Sequence, residues 1–135
     1  MAVRYLLDTN ICIYIAKHNP PAVRDRFSRH TADELVMSVV TLGELRFGAE
    51  KSQSREKALA VISQLESVMR VAPLTEAVGE HYGQIRSSLQ QRGELIGNND
   101  LWLAAHARAE GWVLVTNNER EFVRVDGLQV ENWAA

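Results

Sequence analysis

Short apolar runs alternate along the chain with longer stretches in which apolar residues return every three or four positions. Val3 to Leu7 is the first run and stops at Asp8-Thr9-Asn10. Leu35 to Val40 is the second, Arg70 to Ala72 ahead of Pro73 a short third, Val113 to Thr116 the fourth, and Leu128 to Val130 a weak fifth. Such runs are expected of strands buried on both faces. The longer stretches read as helices. Ala58, Val61, Ile62, Leu65, Val68 and Met69 form one amphipathic stripe, and Val78, Tyr82, Ile85 and Leu89 another. Asn99 to Glu110 is alanine-rich and apolar on more than one face, which predicts a helix packed inside the protein. A short first helix begins near Ile11 and breaks at Asn19-Pro20-Pro21, where proline clashes with a continuing helix. Gly93 and Gly97 bracket a loop, and Gly111 suits the left-handed position that ends helices. Alternation of strand and helix predicts an α/β fold with a mostly parallel sheet and helices on both faces. Ligands then bind beyond the carboxyl ends of the strands.

Acidic and polar residues gather at those strand ends. Asp8 directly follows the first strand, and Glu44 lies just past the second, in the first turn of a helix entered at Thr41. Asp100 opens the alanine-rich helix, and Thr116, Asn117 and Asn118 follow the fourth strand, with Glu121 a few residues on. Each has an ordinary structural reading. Asp8 suits a turn or a helix cap, Glu44 completes a capping box with Thr41, Asp100 favours the positive end of its helix, and Glu121 suits a solvated surface. Together they are harder to dismiss, because several carboxylates in one crevice repel one another unless a cation neutralises them. An all-oxygen donor set suits Mg2+ or Mn2+ better than zinc. Such ions typically serve displacement at phosphorus.

Composition narrows the class. The chain has 135 residues, 46% hydrophobic and 24% charged, which predicts one globular domain over 1–135. The single cysteine, Cys12, excludes an internal disulfide and any multi-cysteine metal site. A formal net charge of −2 argues against a generic basic nucleic-acid coat. No run of about 18 apolar residues is present, so a membrane span is not expected. Asp8, Thr9 and Asn10 interrupt the apolar start, which argues against a signal peptide. The expected setting is cytoplasmic.

Four segments carry a family resemblance: LLDTN at 6–10, Glu44 within SVVTLGEL, IGNNDLWLAAHA at 96–107 and LVTNNEREF at 114–122. In order and spacing they resemble the motif set of PIN-domain ribonucleases, and among these the VapC toxins of bacterial toxin–antitoxin pairs. The resemblance spans essentially the whole chain. It implies a three-layer α/β/α sandwich with four to five strands. It further implies an endoribonuclease that hydrolyses structured RNA, a tRNA loop above all, by metal-activated water, leaving 5′-phosphate ends. Asp8, Glu44 and Asp100 match the three acidic positions that hold Mg2+ or Mn2+. The aspartate often found two residues after the strand-end threonine is Asn118 here, so Glu121 is taken as the fourth carboxylate. Thr9, Asn10, Thr116 and Asn118 match supporting polar positions. A homodimer and a cognate VapB-type antitoxin are implied partners, with DNA contact left to the antitoxin.

Other readings remain. A receiver domain wants a lysine after a later strand, where this chain reads LVTNN, and a haloacid-dehalogenase-like phosphatase wants Asp-x-Asp, where position 10 is Asn10. A PIN-fold binding module without turnover would keep the same pattern. His106 reads as a packed or surface histidine rather than a general base. Arg46, Lys51, Arg86, Arg92 and Arg120 are candidate phosphate contacts, each more plainly an ordinary surface cation. Ile11, Ile13, Tyr14, Ile15, Leu45, Phe47 and the stripe from Ala58 to Met69 divide between core and an antitoxin groove. Tyr82, Ile85, Leu89 and Trp102 are candidate dimer contacts.

Overall fold

The computed structural model describes residues 3–134. Five strands, β1 (Tyr5–Leu7), β2 (Leu35–Ser38), β3 (Arg70–Ala72), β4 (Val113–Val115) and β5 (Val130–Glu131), form one sheet in the order β3-β2-β1-β4-β5. Every pairing is parallel, with Leu6 opposite Val36 on one side and Leu114 on the other. The helices are α1 (Thr9–Lys17), α2 (Pro21–Phe27), α3 (Val39–Glu50), α4 (Arg55–Val68), α5 (Glu76–Gln91), α6 (Asn98–Glu110) and the single turn α7 (Glu119–Phe122).

Strand pleating divides the core in two. Successive side chains point to opposite faces, so Leu6, Val36 and Leu114 meet α5, α6 and α7 through Val78, Ile85, Leu89, Leu103, Ala107 and Phe122. Leu7, Leu35, Met37 and Val115 meet α1, α2 and α4 through Ile11, Ile15, Val23, Leu65 and Met69 on the other face. This is the expected three-layer α/β/α sandwich. Its strands are apolar throughout because both faces are covered.

Element ends differ from the sequence pattern for local reasons. The second apolar run does not stay extended to Val40. Ser38 caps α3, its hydroxyl accepting the Val40 N–H at 3.1 Å, so Val39 and Val40 become the first helical turn. The capping box expected at Thr41 therefore does not form, and Thr41 is a buried residue inside α3. The fifth strand falls at Val130–Glu131, with Leu128 before it packing on the α5–α6 core. Gly111 ends α6 at φ 73°, the left-handed conformation glycine adopts freely.

Candidate active site

The strand order reverses direction at β1, whose neighbours β2 and β4 lead off to opposite sides. The crevice beyond the carboxyl ends of β1 and β4 is the place where open parallel sheets hold ligands. Asp8 sits there, buried, and its backbone N–H donates to the Val115 carbonyl at 3.0 Å, extending the β1–β4 ladder by one step. Its side chain caps α1 by accepting the Ile11 N–H at 2.9 Å. The capping and the site readings of Asp8 thus hold together.

Thr9 opens α1 and reaches across to α3. Its hydroxyl donates to Glu44 Oε1 at 2.7 Å and stands 3.3 Å from the Thr41 hydroxyl. The earlier start of α3 moves Glu44 from the first turn to the middle of a helix, half-buried and facing α1. Asp100 occupies the first turn of α6 and is half-buried. Glu121 lies on α7, held down by the buried Phe122 beside it.

Electrostatics tie the four carboxylates into one group. Burial first, and then the negative charges of Glu121, Asp8 and Glu44, push Asp100 up to about 6. Asp8 is also raised, chiefly by burial and in part by Glu44. The Thr116 hydroxyl and the Ile11 and Asn10 backbone N–H groups work against that rise by hydrogen-bonding its charged form. Among the described residues, no three His, Cys, Asp or Glu side chains stand close enough to make a ready-formed metal cage. The donor chemistry nevertheless fits a hard cation. The group contains only carboxylate oxygens, and Asp100 feels the other three as uncompensated negative charge. The cluster is an open, repelling edge that a cation would draw together.

The supporting residues play different parts. Thr116 is fully buried, and its hydroxyl accepts the Asn118 backbone N–H at 2.9 Å, shaping the turn after β4. Asn118 contributes its backbone there. Asn10 Nδ2 points to Asn117 Oδ1 at 3.5 Å, and Asn117 Nδ2 donates to the Tyr14 hydroxyl at 2.8 Å. That Tyr14–Asn117 bond joins positions 103 residues apart, and nothing in the sequence signals it. It also places Tyr14 at the rim of the crevice.

The candidate cations are mostly engaged elsewhere. Arg46 pairs with Glu66 at 3.7 Å, Lys51 lies 4.8 Å over the Phe47 ring, and Arg92 donates to the Arg124 carbonyl. Arg86 donates to the Tyr82 hydroxyl at 2.8 Å, and Arg120 is exposed on α7. Of the suggested dimer contacts, Ile85 and Leu89 belong to the core, whereas Tyr82 and Trp102 stack on each other at 3.9 Å and stay partly exposed. Ile11 and Ile15 are core as well. Ile13 instead lines a shallow apolar groove of about 240 Å3 with Leu45, Ala58, Val61, Ile62 and Leu65.

The PIN domain family profile matches residues 5–128. The chain is 46% identical over 132 residues to the tRNA(fMet)-specific endonuclease VapC of Shigella flexneri, covering 98% of this chain and 99% of that protein. It is 44% identical over 131 residues to ribonuclease VapC2 of Haemophilus influenzae, covering 97% and 98% respectively. Among solved structures it resembles the DNA-bound VapBC of Salmonella typhimurium, with a TM-score of 0.91 and 40% identity over 97% of this chain and 98% of that one.

Proposed function

The chain belongs to the PIN-domain family, among the VapC-type ribonuclease toxins of VapBC toxin–antitoxin pairs, and on that premise we propose that it is a Mg2+- or Mn2+-dependent endoribonuclease using Asp8, Glu44, Asp100 and Glu121. The observation that carries this reading is the coupling of Asp100 to the other three carboxylates across four separate chain segments. Membership of the family sets the receiver and phosphatase readings aside.

Asp8, Glu44 and Asp100 would hold the ion, with Glu121 completing the site. A hard cation bound there would supply water activation and neutralise charge developing on the phosphoryl oxygens. The remaining work falls to the chain's own groups. The Ile11 and Asn10 N–H groups and the Thr116 hydroxyl favour the ionised form of Asp8 against the rise that burial imposes. The Thr9 hydroxyl donates to one Glu44 oxygen and so fixes the carboxylate's orientation. Thr9, Asn10, Thr116 and Asn118 support the site without reacting. The products are a 5′-phosphate and a 3′-hydroxyl.

The substrate is structured RNA, with a tRNA loop first, as the name of the Shigella flexneri relative suggests. The acting form is a homodimer. Its restraint comes from a VapB-type antitoxin whose apolar helix enters the groove between α1, α3 and α4. DNA contact belongs to the antitoxin, because this chain carries a net charge of −2 and no basic face is needed for its own chemistry. No helix among the described residues is long and apolar enough to cross a membrane.

The test is cleavage of bulk tRNA with Mg2+ or Mn2+, with EDTA, and by Asp100→Asn. Activity should vanish with EDTA and fall at least 100-fold in the variant, since lost metal stabilisation is worth several kcal/mol. Full activity in Asp100→Asn, or 2′,3′-cyclic phosphate ends, would overturn the assignment. Metal-insensitive RNA retention without cleavage would favour the binding module instead.

A further inference from the structure

His106 is fully buried on α6, and the reading above gives it no task. Its Nδ1 stands 2.9 Å from the Ser38 hydroxyl, which is also fully buried. Ser38 is the last residue of β2 and the N-cap of α3, with its oxygen already accepting the Val40 N–H. The bond therefore joins the helix that carries Asp100 to the origin of the helix that carries Glu44. Among the described residues it is the one fully buried side-chain hydrogen bond between α6 and the sheet.

The protonation pattern is determined by what surrounds the ring. Burial holds the imidazole below its ordinary range, so it is neutral at pH 7. Nε2 is buried without a hydrogen-bond partner, and the Pro73 backbone just past β3 opposes the drop that burial imposes. In the tautomer that carries the proton on Nε2, Nδ1 is the acceptor. The Ser38 O–H donates to Nδ1, and the same oxygen accepts from Val40. Trp112 backs the ring at 5.4 Å, which limits its rotation.

Helix α6 is anchored in one core, through Leu101, Leu103 and Ala104. Helix α3 packs into the other as well, through Leu42 and Leu45. Apolar packing tolerates small sliding between layers, because it is non-directional. A directional buried hydrogen bond does not tolerate it. Ser38 precedes Glu44 by six residues, and His106 follows Asp100 by six, so each end of the bond lies under two turns from a carboxylate.

We propose that His106 is a positioning residue, which through Ser38 sets α3 against α6 and so fixes the Glu44–Asp100 spacing that determines ion affinity at the strand edge. The proposal rests on the ion-binding reading of the four carboxylates.

The experiment is Mn2+ binding to chelator-stripped protein, followed by the loss of the free Mn2+ electron paramagnetic resonance signal, with thermal melting alongside. Asn places a polar atom near the Nδ1 position, whereas Leu fills the space without one and Gln reaches the Nε2 position. His106→Asn should bind Mn2+ within about twofold of the parent. His106→Leu and His106→Gln should bind at least tenfold more weakly while still melting cooperatively. Ser38→Ala tests the same bond from the other side and should show the same loss. On that background Asn and Leu at position 106 should bind Mn2+ alike. A histidine that only fills the core would lower the melting temperature and leave the affinity of the folded protein unchanged. Equal Mn2+ affinity in folded His106→Leu or Ser38→Ala therefore overturns the proposal. Parent protein that binds no Mn2+, or binds it unchanged in Asp100→Asn, overturns the underlying ion reading instead.

Discussion

Asp100 is the residue at which the cost of the site is most exposed. Burial and its acidic neighbours push its carboxyl up to about 6, above the ordinary carboxylate range. A raised carboxyl favours the folded state below pH 4, and that contribution is lost as pH rises through 6. Asp100 should therefore make the metal-free protein less stable at pH 8 than at pH 5, against buried His106, whose lowered pKa works in the opposite direction. Asp100→Asn should remove part of that slope and stabilise the metal-free protein at pH 8 by about 1 kcal/mol, a figure reduced from the full shift because the group is half solvated. Mg2+ should raise the melting temperature at pH 8 more than at pH 5, where protons compete for the same oxygens. Chemical denaturation across pH, with and without Mg2+, checks both. The same pH slope in the parent and in Asp100→Asn would remove the electrostatic coupling on which the site reading stands.

At the scale of elements, the helices that deliver the carboxylates are begun and ended by single residues. Asp8 begins α1, Ser38 begins α3, and Gly111 ends α6. Gly111 stands at φ 73° with nothing within 4 Å of where a Cβ would lie, so a side chain there meets backbone strain but no clash. Gly111→Ala should cost about 1 kcal/mol in denaturant unfolding. RNA cleavage per folded molecule should be unchanged, because the strain sits at the far end of α6 from Asp100. A larger loss of cleavage than of stability would mean that this end of the helix communicates with the site. The weak fifth strand shows why such short elements are hard to bound in advance. Two residues of pairing, Leu114 to Val130 and Val115 to Glu131, follow from the neighbour's position rather than from any local apolar run.

For the whole molecule, an apolar groove is left open where α1, α3 and α4 meet, lined by Ile13, Leu45, Val61 and Leu65 among others. Phe47, on α3 two residues past Leu45, is 65% exposed, with Lys51 over its ring. Phe47→Ala should leave stability within about 0.5 kcal/mol, as for most surface substitutions. It should weaken the proposed antitoxin complex at least tenfold in a binding titration. Tyr14 is a poorer probe, because its hydroxyl also holds Asn117 at the rim of the crevice. Antitoxin affinity unchanged by Phe47→Ala would move the groove elsewhere on the surface. Trp133, fully buried and stacked on His30 at 5.0 Å, packs the C-terminal segment onto the α1–α2 core.

The order of strands and helices and the parallel sheet were legible in the sequence, because each is written in local pattern: a run, a period, or a residue next to a run. The third strand fell at Arg70–Ala72 and the left-handed stop at Gly111 as the pattern predicted. Other features depended on residues far apart in the chain, and only the tertiary structure decided them. Val39 and Val40 read as strand by composition, yet they enter a helix because Ser38 caps it and the sheet edge has been reached. Tyr14 meets Asn117, and His106 meets Ser38 across 68 positions, through hydrogen bonds that no periodicity encodes. Trp133 is core because β5 carries it onto the α1–α2 layer. Local pattern records which face of an element is apolar. Directional contacts and side-chain charge repulsion arise only once separate elements are brought to the same edge.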